Sequence, residues 1–104
     1  MPSASYERSG YELRVIGSLD APIDVEFDLQ TRALVDEAQA AGVLDITIDL
    51  RDLEYIGSQY IGALAAVSSD MKKHDGELTV RAKEHIADLI LQCGLDRVLS
   101  LVVE

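Results

Sequence analysis

ITIDLRDLEYIGSQYIGALAAV, residues Ile46 to Val67, carries two hydrophobic periods that meet at Gly57-Ser58. Before the junction the period is two: Ile46, Ile48 and Leu50 face one way, with Asp45, Thr47 and Asp49 opposite, in a segment rich in β-branched residues. That predicts a strand over Leu44–Leu50, followed by a second strand-like piece over Leu53–Ile56. After the junction Ile61, Leu64, Val67 and Met71 recur at spacings of three and four. That predicts a helix of about 16 residues beginning at Ser58. Lys72, Lys73 and His74 fall in its last turn, where cations suit the helix dipole, and Asp75-Gly76 ends it.

The same two periods alternate along the rest of the chain. Tyr6–Ser9 is a short edge strand, and Tyr11–Ile16 a strand with one wet face. Gly17 to Pro22 breaks the pattern. A helix is expected over Val25–Ala41, with Phe27, Leu29, Leu34, Val35, Ala38 and Ala41 on one stripe and Gly42 as its left-handed stop. Glu77–Lys83 alternates as a strand. Glu84–Cys93 is a helix with Ile86, Leu89, Ile90 and Cys93 on one side, stopped by Gly94-Leu95. Arg97–Val103 is the last strand. The order β-β-α-β-α-β-α-β predicts an α/β fold: a mixed, largely parallel sheet of four to five strands, opened by a hairpin, with about three helices mainly on one face.

At 104 residues the chain is one domain, 1–104, with a single core. Its formal charge of −10 is uneven: residues 1–56 hold twelve acids against four bases, residues 57–104 seven against five. Such a surface repels phosphate backbones and anionic lipid heads, which argues against nucleic-acid binding. It serves solubility, or it steers a basic partner. No apolar run approaches the ~20 residues of a membrane span, and the N-terminal MPSASYERSG lacks the pattern of a secretory leader. The lone Cys93 fits a reducing cytoplasm and completes an apolar stripe, so it is read as a core thiol. His74 and His85 lack partners at ligand spacing, and no phosphate-binding glycine loop occurs, so no metal or cofactor is expected. The nucleophile elbow G-x-S-x-G is absent as well: Gly57 directly precedes Ser58 and Tyr60 stands two residues after it.

The order and spacing of "GSLDA" (Gly17–Ala21), the 46–67 stretch, "HDGELTV" and "LILQCGLDRVLSLV" resemble the STAS domain, named for sulfate transporters and anti-sigma-factor antagonists. A domain of this length is most similar to the bacterial anti-sigma-factor antagonists. The family pattern at the helix start, roughly Asp-Ser-Ser/Thr-Gly-Leu-Gly, falls on Gly57 to Gly62. The serine, the aliphatic residue and the last glycine match; glycine replaces the aspartate. The resemblance implies a non-enzymatic regulator that binds an anti-sigma factor/serine kinase or a related partner-switching scaffold, with Ser58 as the phosphoacceptor. It places the partner-binding surface at Asp20, Gly57, Ser58, Gln59, Tyr60 and Ile61.

From the residues alone, Ser58 is a natural N-cap whose oxygen would accept from Tyr60 or Ile61 N–H. Gly57 would supply unusual backbone angles or let a partner approach. One of Tyr60 and Ile61 is expected to face outward as an interface anchor, with a core Tyr60 as the competing reading. Two other functions share the fold: an accessory subunit docking on the ATPase of a lipid-transport system, and a serine hydrolase using Ser58.

Overall fold

The computed structural model describes residues 4–20 and 25–104; the Ala21-Pro22 end of the predicted break lies outside them. The elements are β1 (Ala4–Ser9), β2 (Glu12–Leu19), α1 (Val25–Ala40), β3 (Asp45–Ile56), α2 (Ser58–Lys72), β4 (Glu77–Ala82), α3 (Glu84–Gln92), a 3-10 turn (Leu95–Arg97) and β5 (Ser100–Val103). The five strands lie in sequence order, β1-β2-β3-β4-β5. The β1–β2 hairpin is antiparallel and every later pairing is parallel. Three successive crossovers step in one direction, and right-handed connections then carry all three helices to one face. This is the predicted mixed, largely parallel α/β sheet with its helices on one side.

β3 is a single strand of twelve residues, not two pieces. The sequence divides it because its alternation slips twice. Its buried apolar positions run Ile46, Ile48, Leu50, then Leu53, then Ile56. The slips coincide with two shifts of register against β2, between Arg14 and Ile16 and between Gly17 and Ser18. At each, β3 carries one residue more than its partner, a bulge that returns the next apolar side chain to the core. β2 likewise continues through Gly17 to Leu19 instead of stopping at Ile16. The last strand is shorter than expected, because Leu95–Arg97 takes up the 3-10 turn after Gly94.

The helix-covered face holds one continuous core of Leu13, Val15 and Leu19 from β2, the inward residues of β3, Leu78, Val80 and Ala82 from β4, and the inner stripes of the three helices. Three members of the predicted stripes lie outside it, one of them Ala41, exposed just past the end of α1. Leu29 is exposed on α1, and Cys93 is exposed, because α3 ends at Gln92 and Cys93 has already left the helical path. Gly76 holds β3 and α2 together by close approach. A Cβ there would stand 2.3 Å from the Leu44 carbonyl oxygen and 2.9 Å from the Met71 methyl carbon.

The opposite face of the sheet carries none of the described helices. Ion pairs cover it instead. Arg14, Asp49 and Arg81 stand in one row across β2, β3 and β4. Asp49 is only 2% exposed. Arg51 grips its carboxylate with Nε and Nη2 at 3.0 and 2.8 Å and adds its backbone N–H at 3.0 Å. Arg81 bonds Glu104 at 2.8 and 2.9 Å, and Arg14 bonds Asp52. The sequence places Asp49 on a wet face; the arginines on either side and along its own strand bury it.

Two predictions follow from these contacts. Gly76→Ala should destabilise the fold by about 1–3 kcal/mol, the usual cost of forcing an atom into filled space, read as a lower denaturation midpoint. The Arg51 bonds hold the Asp49 carboxyl below the usual carboxylate range, outweighing the opposing effect of burial. Its contribution is therefore full above its unfolded value near ~4 and is lost as the pH falls through the lower folded value. Asp49→Asn should cost about 1–3 kcal/mol at neutral pH, and the difference from wild type should shrink in acid below about pH 4, measured by urea unfolding across pH.

Candidate functional site

The loops that follow β2 and β3 emerge on one edge of the sheet, because neighbouring parallel strands end together. Ser18 lies opposite Tyr55 and Leu19 opposite Ile56. Past that pairing, Gly57 N–H donates to the Leu19 carbonyl at 2.8 Å. This bond ties the start of α2 to the end of β2 and brings Asp20, the next residue and an exposed one, beside the Gly57-Ser58 turn.

The N-cap of α2 is Gly57, not Ser58. The Gly57 carbonyl accepts from Tyr60 N–H at 3.0 Å and Ile61 N–H at 3.3 Å, and no side chain caps this end. Ser58 is the first helical residue, and its exposed hydroxyl is not spent on capping. Gly57 itself is buried, with φ −79° and ψ 156°. Those are ordinary extended angles, so the unusual backbone expected of this glycine is not what it provides.

Ser58 and Gln59 are exposed, whereas Tyr60 and Ile61 are 1% and 4% exposed. The expectation that one of the pair faces outward is therefore overturned. Tyr60 belongs to the inner stripe with Leu64, Val67 and Met71, and its ring meets Phe27 of α1 edge-on at 5.1 Å between centroids. That contact seats the first turns of α1 and α2 side by side. The spacing of Tyr60 to Leu64, Val67 and Met71 (4, 7 and 11) was the signal for its burial.

Of the six residues the sequence picks out, Asp20, Ser58 and Gln59 are at the surface and Gly57, Tyr60 and Ile61 are beneath it. Three further surface features adjoin them. Val25 and Leu29 are 71% and 55% exposed on the first two turns of α1. Gly62 is exposed on the second turn of α2, and a Cβ there would meet nothing within 4 Å. Behind them a cleft of about 160 Å³ runs between α1 and α2, lined in part by Asp28, Arg32, Asp36, Ala63, Ala66 and Asp70.

The two histidines stand elsewhere in the fold. His74 follows the far end of α2, its Nδ1 3.0 Å from Gln39 Nε2. His85 opens α3, its Nε2 3.2 Å from the Leu53 carbonyl. No group of three or more His, Cys, Asp or Glu side chains suited to a metal ion occurs among the described residues. No helix among them is long and apolar enough to cross a membrane.

Gly62 costs α2 stability without a packing reason. A glycine inside a helix is roughly 0.5–1 kcal/mol less favourable than alanine, and neither crowding nor a left-handed φ requires it here. Gly62→Ala should stabilise the fold by about that amount, seen as a rise in Tm of several degrees.

Comparison with known proteins agrees with this architecture. Residues 4–103 match the family model described as "Mlab, STAS domain". No curated protein matches the chain. Among solved structures, the crystal structure of an anti-sigma factor antagonist from Mycobacterium paratuberculosis is similar with a TM-score of 0.70 at 24% identity, over 95% of this chain and 83% of that one. The NMR structure of the protein TM1081 is similar with a TM-score of 0.68 at 18% identity, over 94% of this chain and 78% of that one. At those identities the two structures speak for the fold; the family match, spanning nearly every residue, assigns the chain to the STAS domain family.

Proposed function

We propose that the chain is a non-enzymatic regulatory protein of the anti-sigma-factor antagonist type. It binds a partner, an anti-sigma factor/serine kinase or a related switching scaffold, through Asp20, Ser58, Gln59 and the outer side of α2, and phosphorylation of Ser58 releases that partner. The observation that carries this reading is the exposed Ser58 on the first turn of α2, its hydroxyl not used as a cap because Gly57, and not Ser58, occupies the N-cap position. Gly57, Tyr60 and Ile61 contribute from beneath by fixing how the turn is held.

The physics of such a switch is favourable. A phosphate on Ser58 adds about −1.5 to −2 charges. The helix N-terminus favours it by roughly 0.3–1 kcal/mol, while exposed Asp20 opposes it, so the fold is little affected. Buried in an interface without a partner, the same charge costs ~3–5 kcal/mol, a loss of affinity on the order of 100- to 1,000-fold or more. Binding is switched while the domain stays folded.

A second reading uses the same surface: a STAS-type accessory subunit docking on the ATPase of a lipid-transport system. The family model that matches is of the Mlab type, and the identity of the partner separates the two readings. A serine hydrolase is the weakest reading. His85 is turned to the Leu53 carbonyl, and His74 lies beyond the far end of α2, about 24 Å along the helix axis from Ser58.

The deciding experiment is affinity purification from the native cell with intact-mass and phosphosite analysis, comparing wild type, Ser58→Ala and Ser58→Asp. Wild type and Ser58→Ala should recover one partner that Ser58→Asp loses. Equal recovery by all three, with no phosphate at Ser58, would sink the switch.

A further inference from the structure

We infer that the cleft between α1 and α2 seats a basic amphipathic helix of the partner protein, packed closely over Gly62. This rests on the reading of the surface beside Ser58 as the binding surface, and adds the partner's shape and charge.

The dimensions fit a helix. α1 and α2 have 16 and 15 residues, about 24 and 22 Å at 1.5 Å per residue, which allows roughly four turns of a third helix laid along them. The rim offers it apolar contact. Val25 and Leu29, one turn apart on the outer side of α1, are exposed with no core role. They would meet the apolar stripe of an incoming helix.

The charge selects its polar side. Among the described residues Asp28, Asp36 and Asp70 line the cleft with Arg32, and Lys73 stands 3.9 Å from Asp70, which leaves Asp36 as the acid of the cleft without a nearby cation. Arg32 is already 3.5 Å from Asp28. In a chain of net charge −10, lysines or arginines flanking an apolar stripe are the complement of this cleft, and an acidic helix is repelled.

Gly62 makes close approach possible. Among the described residues nothing repays its cost to α2, since the space where its Cβ would stand is open. Packed helices lie about 8–10 Å apart depending on the side chains at the contact. Without a side chain at 62, the partner's backbone reaches the lower end of that range. Two different properties of one residue are then separable: alanine at 62 improves the fold and obstructs the docked helix.

The test uses the isotope-labelled full chain and two synthetic peptides of about five helical turns. One is a leucine/lysine amphipathic helix, the other the same peptide with glutamate for every lysine. The lysine peptide should shift amide resonances of residues 25–36 and 58–70, and the glutamate peptide should shift none. Gly62→Ala should raise Tm and weaken the lysine peptide about tenfold or more. Shifts centred on other elements, equal binding of both peptides, or undiminished binding to Gly62→Ala would each overturn the inference. Pull-down of the native partner separates it from the switch. Undiminished recovery by Gly62→Ala overturns only the close approach at Gly62. Undiminished recovery by Ser58→Asp, with the peptide still seated in the cleft, overturns only the switch.

Discussion

The hydrogen bond from Gly57 N–H to the Leu19 carbonyl governs how α2 and Ser58 leave the edge of the sheet. It closes the parallel pairing of β2 and β3 one residue beyond the ladder, and so sets both the height and the rotation at which α2 leaves the sheet. Rotation is the decisive quantity. With Gly57 as cap, Tyr60 points inward onto Phe27 and Ser58 points out. A helix begun one residue later would turn by about 100°, exposing the aromatic ring and directing the serine toward the sheet. The surface at Ser58 thus depends on a backbone contact between two buried residues.

The fold was legible in the sequence because local preference and burial agree. Periods of two and of 3.6 mark every element, and the left-handed Gly42 and Gly94 stand where two helices stop. Two of the errors share one cause, an environment set by a neighbouring strand. Asp49 reads as a solvent position by alternation, but Arg51 and the arginines of β2 and β4 enclose it. β3 reads as two pieces because its bulges are defined only against β2. Cys93 continues an apolar stripe in projection, although the chain has already turned away from the helix axis.

The site was legible in part for a related reason. The serine at the strand-to-helix junction stands out from the change of period. Which atom caps the helix depends on whether the junction glycine or the serine occupies the N-cap position, and the pattern alone does not resolve a difference of one residue. Gly62 was visible as a match to the family pattern, but only the structure shows that, among the described residues, nothing crowds the place of its Cβ.

The unbroken strand order has a further consequence. In open α/β sheets small molecules are usually held in the crevice where the strand order reverses and helices part to opposite faces. From β2 to β5 this sheet never reverses, and its helices stay together on one side. Among the described residues the architecture therefore has no such switch point; the pocket of about 570 Å³ that does lie past the ends of β4 and β5 is lined by Lys83, Glu84, His85, Asp88 and Glu104. Past the ends of β2 and β3 the same edge presents the exposed side chains of Asp20, Ser58 and Gln59 on a surface without a switch-point crevice.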